Sequence, residues 1–194
     1  MNKIVNRIAA TAGLLAAVGA VTVMPSITAS AATTDTTQVN VVLASVLSIT
    51  GDKSAVTINL APVSSTQVSS TQTETITGVS NNSTGYKITA ATSTTNGSLT
   101  STGTGTGGPI AMTAAGATLS ANSWGAKYTS GAGNATVGTA ATGSYVALSS
   151  TGVVVANTTN AGDRAFTATY GASANTSVAS GTYYTTITYT IANN

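Results

Sequence analysis

The chain has 194 residues with no Cys and no His, and its six basic residues exceed its four acidic residues by two. Two of the basic residues lie in the first seven positions, so the rest of the chain carries no net charge, which argues against nucleic-acid and anionic-membrane partners. Without Cys and His the chain has no disulfide, no Ser/His or Cys/His nucleophilic pair, and no zinc or haem site on nitrogen or sulfur ligands.

The first 31 residues have the three parts of a cleaved export signal. Lys3 and Arg7 give a positive start, residues 8–23 are apolar, and residues 29–31 (Ala-Ser-Ala) supply the small side chains that a signal peptidase requires. The apolar run of sixteen residues is shorter than the roughly 20 that a membrane span prefers. We therefore predict cleavage before Ala32, a secreted protein at the cell surface, and no transmembrane domain in the mature chain.

Apolar and polar residues alternate along the mature chain, as they do in half-buried β-strands. In the clearest run, residues 182–192, Tyr183, Ile187 and Tyr189 share one face and Tyr184 lies on the other. In chain order, the predicted strands are residues 39–50, 56–60, 73–79, 86–90, 109–113, 123–129, 144–149, 152–156, 166–170 and 182–192.

Clusters of Gly, Asn, Ser and Asp separate these strands, and helix signals are nearly absent. The pattern predicts an all-β fold, an antiparallel two-layer β-sandwich of immunoglobulin-like or jelly-roll type. The predicted organisation is a signal peptide at 1–31, a flexible leader at 32–38 and a single β-sandwich domain at 39–194. Residues 100–109 and 130–143 are of low complexity and are predicted to be surface loops, either plain connections or a ligand-contacting rim.

Four acidic residues are few for a hydrolase, which needs two carboxylates across a cleft. Asp52 and Asp163 each follow a turn glycine and precede Lys53 and Arg164, so surface capping and pairing explain them. No Asp-x-Asp pattern favours calcium. We predict a protein that is not an enzyme, with no catalytic residues, no cofactor and no metal site.

Glu74 and Lys87 both lie inside strand-like runs, which is unusual for charges so scarce. One interpretation is a self-formed amide bond between Lys87 and an Asn or Asp beside a buried acid. The alternative places both charges on the solvent face.

Trp124, the one Trp of the chain, and Tyr184 are the candidate ligand-binding residues, because an exposed aromatic ring can stack on a sugar. The alternative for Trp124 is the core, since Trp124, Ala126 and Tyr128 share one face of a strand. The predicted partners are cell-wall polysaccharide or further copies of the chain.

Residues 39–50 form the most apolar strand predicted in the mature chain and contain neither charge nor Pro. Such a strand either completes its own sheet or is donated to a neighbouring copy. The sequence leaves both alternatives open.

Residues 81–89, 119–125 and 180–189 resemble segments of secreted bacterial cell-surface β-sandwich proteins, loosely similar to the WxL-type wall-binding group. The resemblance implies a bacterial, extracytoplasmic protein with a structural or adhesive role. We therefore expect a non-enzymatic cell-surface protein, associated with the envelope or assembled by β-strand pairing. The alternative is a carbohydrate- or cell-wall-binding module that uses exposed aromatic residues.

Overall fold

The structure is a computed structural model that describes residues 36–102, 108–130 and 143–194. The predicted export signal, residues 32–35 of the predicted leader, and most of the predicted loop at 130–143 lie outside the described residues. Residues 42–194 belong to one compact unit. Of the other unit, residues 1–41, the structure describes 36–41, which are exposed.

All regular elements of the described residues are β-strands, which confirms the predicted all-β class. No helix in these ranges is long and apolar enough to cross a membrane. The strands are β1 (Leu47–Gly51), β2 (Val68–Ser80), β3 (Tyr86–Thr92), β4 (Thr100–Ser101), β5 (Ala111–Met112), β6 (Ser123–Ser130), β7 (Tyr145–Val146), β8 (Val153–Asn157), β9 (Gly162–Ala174), β10 (Tyr183–Tyr184) and β11 (Ile187–Asn193).

The larger sheet has the strand order β1-β2-β9-β6-β5, with β7 also pairing with β6. Its centre is the antiparallel pair β2–β9, thirteen residues on each side, with Val68 opposite Ala174 and Ser80 opposite Gly162. The second sheet is antiparallel with the order β11-β3-β8, and β10 and β4 form a separate short pair.

Side chains from both sheets share one core. Tyr128 and Phe166 of the larger sheet are buried, and the Tyr189 ring of β11 packs edge-on against both, with centroids 6.4 Å away in each case. The Tyr86 hydroxyl of β3 donates a 2.7 Å hydrogen bond to the Gly78 carbonyl of β2. Aromatic contacts and a buried hydrogen bond therefore join the two sheets.

The inward faces follow the predicted alternation in β3, β9 and β11. Two predicted strands are corrected. Of residues 39–50, only β1 pairs, because its partner β2 ends at Ser80, opposite Leu47. Residues 56–60 alternate in burial as predicted, but they belong to no strand because they hydrogen-bond to no neighbouring strand among the described residues.

Two further differences concern the predicted antiparallel pairing and the predicted loop at 100–109. The two-residue strand β5 runs parallel to β6. The connection at residues 113–122 returns the chain to the end at which β5 begins, and β6 starts from there. The predicted loop begins with β4, which pairs with β10, and residues 103–107 lie outside the described part.

Candidate functional site

A cleft of about 1010 Å³ lies beside the inner face of the larger sheet. We call it the Trp124 cleft. Glu74 of β2, Trp124 of β6 and Tyr170 of β9 line it from that sheet. Two further chain segments line it as well, residues 53–60 and residues 178–187. The cleft is therefore built from residues far apart in sequence.

Trp124 lines this cleft with a buried ring, 4% exposed. It points inward because it alternates with Gly125 and shares its face with Ala126 and Tyr128, all of which are buried. Its indole N–H donates a 2.8 Å hydrogen bond to the Gly97 carbonyl. The core position that the sequence offered as the alternative is the one that Trp124 occupies.

Tyr184 lines the same cleft from β10, and its side chain is 52% exposed. The β10–β4 pair holds it, with Tyr184 opposite Thr100. The structure thus brings the two predicted ligand-binding residues to one cleft, one buried and one exposed. Their binding of a ligand stays a prediction.

A chain of hydroxyl groups ends on the Glu74 carboxylate. The Tyr170 hydroxyl donates to Glu74 Oε2 at 2.6 Å, and the hydroxyls of Tyr170 and Tyr189 are 2.7 Å apart. Tyr128 and Tyr189 are 3.3 Å apart through their hydroxyls. Because the Tyr170 proton is committed to Glu74, Tyr189 donates to Tyr170 and Tyr128 donates to Tyr189. The three tyrosine hydroxyls therefore form a chain of donors that ends on one carboxylate.

Burial raises the pKa of Tyr128, Tyr170 and Tyr189 above the ordinary value for tyrosine. The hydrogen bond to Glu74 raises the pKa of Tyr170 further, because a carboxylate acceptor favours the protonated phenol. The three hydroxyls consequently remain hydrogen-bond donors throughout the neutral pH range.

Glu74 is 9% exposed and forms no ion pair with the described residues. The nearby Lys53 instead donates to the Thr73 carbonyl. Of the residues that line the cleft, Glu74 is the one with a carboxylate. Its carboxylate therefore offers hydrogen-bond acceptors among aromatic and aliphatic walls.

Asp52 lies at a turn, as predicted, whereas Asp163 and Arg164 lie in the first residues of β9. Asp52 and Arg164 hydrogen-bond to backbone atoms. Asp52 Oδ1 accepts a 2.9 Å hydrogen bond from the Thr75 amide, which is the predicted capping. Arg164 donates to the carbonyl oxygen of Asp163 at 2.9 Å. The predicted side-chain pairing of these acids with Lys53 and Arg164 is not present in the described residues.

Lys87 is exposed on β3, opposite Asn157 of β8. Glu74 is buried on the other sheet. The amide bond considered for Lys87 requires a lysine shielded beside a buried acid, so this geometry does not support it.

Two segments that line the cleft have unpaired backbone groups. Strand β11 pairs with β3 on one side only, and residues 54–62 make no backbone hydrogen bond within the described ranges. Val56, Ile58 and Leu60 are nevertheless half-buried while the residues between them are exposed. The cleft therefore adjoins an open strand edge and an extended segment without a partner.

The Tyr128–Tyr189–Tyr170–Glu74 cluster was not predicted, although the alternation of the strands contains part of the information. Glu74 has the same strand parity as Ile76 and Gly78, which places it inward. Tyr170 and Tyr189 are inward by the alternation already identified. The alternation within each strand does not show that these inward positions meet in the folded chain.

No protein-family model, curated protein or solved structure matches the chain. The similarity to WxL-type surface proteins remains a prediction from the sequence. The cleft and the exposed surface of the chain itself are therefore the features that bear on function.

Proposed function

We propose that this protein is a non-enzymatic, secreted cell-surface structural protein that assembles by β-strand pairing. The observation that carries the proposal is the exposure of Val39, Val41, Val42 and Leu43, at 79, 78, 92 and 82%. Four neighbouring apolar side chains in water are costly unless a partner covers them.

The composition of this segment supports pairing with another chain. Residues 36–51 contain no charged residue and no Pro, the two devices that protect exposed strands from association. In an extended conformation Val39, Val41 and Leu43 share one face, and Gln38, Asn40 and Val42 share the other. This is the pattern of a half-buried strand that lacks its sheet.

The proposed architecture is a two-layer β-sandwich that follows a cleaved signal peptide. It is supported by antiparallel sheets with one common core and by the export features of residues 1–31. The zero net charge of the remaining chain is also compatible with close association of many copies, since they do not repel one another.

Expression in a bacterial host, followed by cell fractionation and amino-terminal sequencing, tests export and the start at Ala32. Size-exclusion chromatography with light scattering then tests assembly. We expect concentration-dependent oligomers from the mature protein and monomers from Val41→Lys, because a lysine on the apolar face of the paired segment is costly to bury. The matched control is Val63→Lys, since Val63 is also exposed, at 92%, but lies outside this segment.

A mature protein that stays monomeric at high concentration contradicts assembly. Equal oligomers from Val41→Lys and Val63→Lys contradict the role of residues 36–43. Recovery of Met1 on a membrane-embedded protein contradicts secretion.

A second candidate function is carbohydrate or cell-wall binding, favoured by the position of Trp124 and Tyr184 in one cleft. Titration with isolated cell-wall polysaccharide, followed by the emission of the single Trp, tests it. Tyr184→Ala should weaken that binding, while Tyr183→Phe, which retains the neighbouring ring, serves as the control.

A further inference from the structure

We infer that the Trp124 cleft is the acceptor site for residues 36–43 of a second copy of this chain. We call residues 36–43 the donor segment. The inference rests on the strand-pairing function proposed above and adds where the donated strand binds. The backbone groups of β11 that face away from β3, and those of residues 54–62, have no partner in the described part of the chain. An added strand supplies such partners, as in β-strand addition.

The cleft has the size and lining that an extended peptide needs. Its volume of about 1010 Å³ lies at the upper end of the roughly 300–1,000 Å³ typical of small-molecule pockets. Val56, Ile58 and Leu60 line it together with Trp124 and Tyr189. The apolar face of the donor segment can pack against these side chains, while its polar face stays toward water.

Length and charge also match. The donor segment has eight residues, close to the nine of the stretch at 54–62 that makes no backbone hydrogen bond among the described residues, and β11 contributes Ile187 and Tyr189 to the cleft. The charged residues lining the cleft are Lys53 and Glu74, which have opposite signs, and the donor segment has no charge. Insertion therefore adds no unpaired charge to the cleft, whose lining already contains one charge of each sign.

Residues 44–46, which precede β1, lie at the end of β2 that is away from this cleft. Strand β1 runs antiparallel to β2, with Leu47 opposite Ser80 and Gly51 opposite Ile76, so the chain reaches β1 from beyond Ser80. Glu74 and the cleft lie in the opposite direction, with Glu74 about 20 Å from Ser80 along β2 at the usual rise of a strand.

Asn81 holds residues 44–46 at that end. Its side-chain Oδ1 accepts from the Val46 amide at 2.8 Å, and its Nδ2 donates to the Ala44 carbonyl at 2.6 Å. The Asn81 amide donates to the Val46 carbonyl at 3.3 Å. Val39, Val41 and Leu43 are 79, 78 and 82% exposed, so their own copy does not cover them. The proposed occupant is therefore the segment of another copy, and because the donor and acceptor surfaces differ, the contact repeats head to tail into a fibre.

Cross-linking between full-length mature copies tests the site, because the chain has no Cys of its own. Copies with Asn40→Cys are mixed with differently tagged copies with Thr188→Cys, an exposed position on β11. The control partner carries Asn157→Cys, exposed on β8, the other edge strand of the same sheet. We expect a disulfide between the Asn40→Cys copy and the differently tagged partner when the partner carries Thr188→Cys. When the partner carries Asn157→Cys, we expect no such disulfide.

Adding Val41→Lys to the Asn40→Cys copy should abolish the cross-link, whereas adding Val63→Lys should preserve it. A synthetic peptide of residues 36–43 should compete with the cross-link and change the emission of Trp124, and a scrambled peptide should do neither. The peptide contains no Trp, so the emission reports the cleft.

Oligomers that cross-link through Asn157→Cys and not through Thr188→Cys overturn the acceptor site and leave strand-paired assembly standing. A strictly monomeric mature protein overturns both proposals. Polysaccharide that changes the Trp124 emission, together with a peptide that does not, also overturns the inference and favours the carbohydrate-binding alternative.

Discussion

Gly78 shows how a single residue governs the distance between the two sheets. A Cβ atom built on Gly78 would lie 2.6 Å from Tyr86 Cε2 and 2.8 Å from both Cζ and the hydroxyl oxygen. The same hydroxyl donates to the Gly78 carbonyl at 2.7 Å. The absence of a side chain at Gly78 is thus what lets the Tyr86 ring lie against β2.

We expect Gly78→Ala to destabilise the fold by about 1–3 kcal/mol, the usual cost of overpacking a close contact. Gly116→Ala is the matched control, because a Cβ there has no atom within 4 Å, and its effect should stay within about 0.5 kcal/mol. Urea unfolding followed by Trp124 fluorescence measures both variants. Equal stability of the two would show that Tyr86 moves aside without cost.

At the level of elements, residues 54–62 and β11 show that alternation alone does not make a strand. Both have inward residues at every second position, and β11 pairs with β3, whereas residues 54–62 have no backbone partner among the described residues. A side-chain pattern selects a face, but a ladder also requires an edge at the right distance.

Hydrogen exchange followed by mass spectrometry tests this difference. In the monomeric Val41→Lys variant, amides of residues 54–62 should exchange fast compared with those of the central strand β9, because they lack acceptors. In the assembled protein, protection should rise at residues 54–62 or at the outer edge of β11. Strong protection of residues 54–62 in the monomer would instead reveal an intramolecular ladder.

At the level of the whole molecule, the tyrosine cluster joins the two sheets by polar contacts inside the core. Tyr128, Tyr170 and Glu74 come from the larger sheet, and Tyr189 comes from β11 of the second sheet. The folded state holds these protons more strongly than the unfolded state, because burial raises the pKa of each tyrosine.

The contribution of these tyrosines to stability should therefore be constant below about pH 10 and fall above it, as the unfolded tyrosines ionise while the folded ones stay protonated. Each such tyrosine lowers the folding equilibrium constant about tenfold per pH unit in that range. The raised pKa values of Tyr86 and Tyr145, also caused by burial, act in the same direction.

Urea unfolding at a series of alkaline pH values measures this dependence. Tyr189→Phe should make the fall less steep, while Tyr184→Phe, at the 52% exposed position, serves as the control. A slope that is the same in both variants would contradict the role of the cluster.

The sequence by itself determined the all-β class and the inward faces of β3, β6, β9 and β11. Trp124 and Phe166 are buried as their strand parity predicts, because the two-residue period of a strand is a local property of the chain. Glu74 lies beside Ile76 on the inner face, whereas the sequence left open whether this carboxylate is buried or faces solvent.

Only the tertiary structure decided which segments meet. Glu74 and Tyr170 are 96 residues apart, and Trp124 and Gly97 are 27 apart, yet each pair is hydrogen-bonded. The missing ladder at residues 54–62 and the parallel β5–β6 pair depend in the same way on the position of distant backbone. Strand pairing is a relation between two segments, so the periodicity within one segment does not specify its partner. For the same reason, periodicity does not predict a cleft that several distant segments form together.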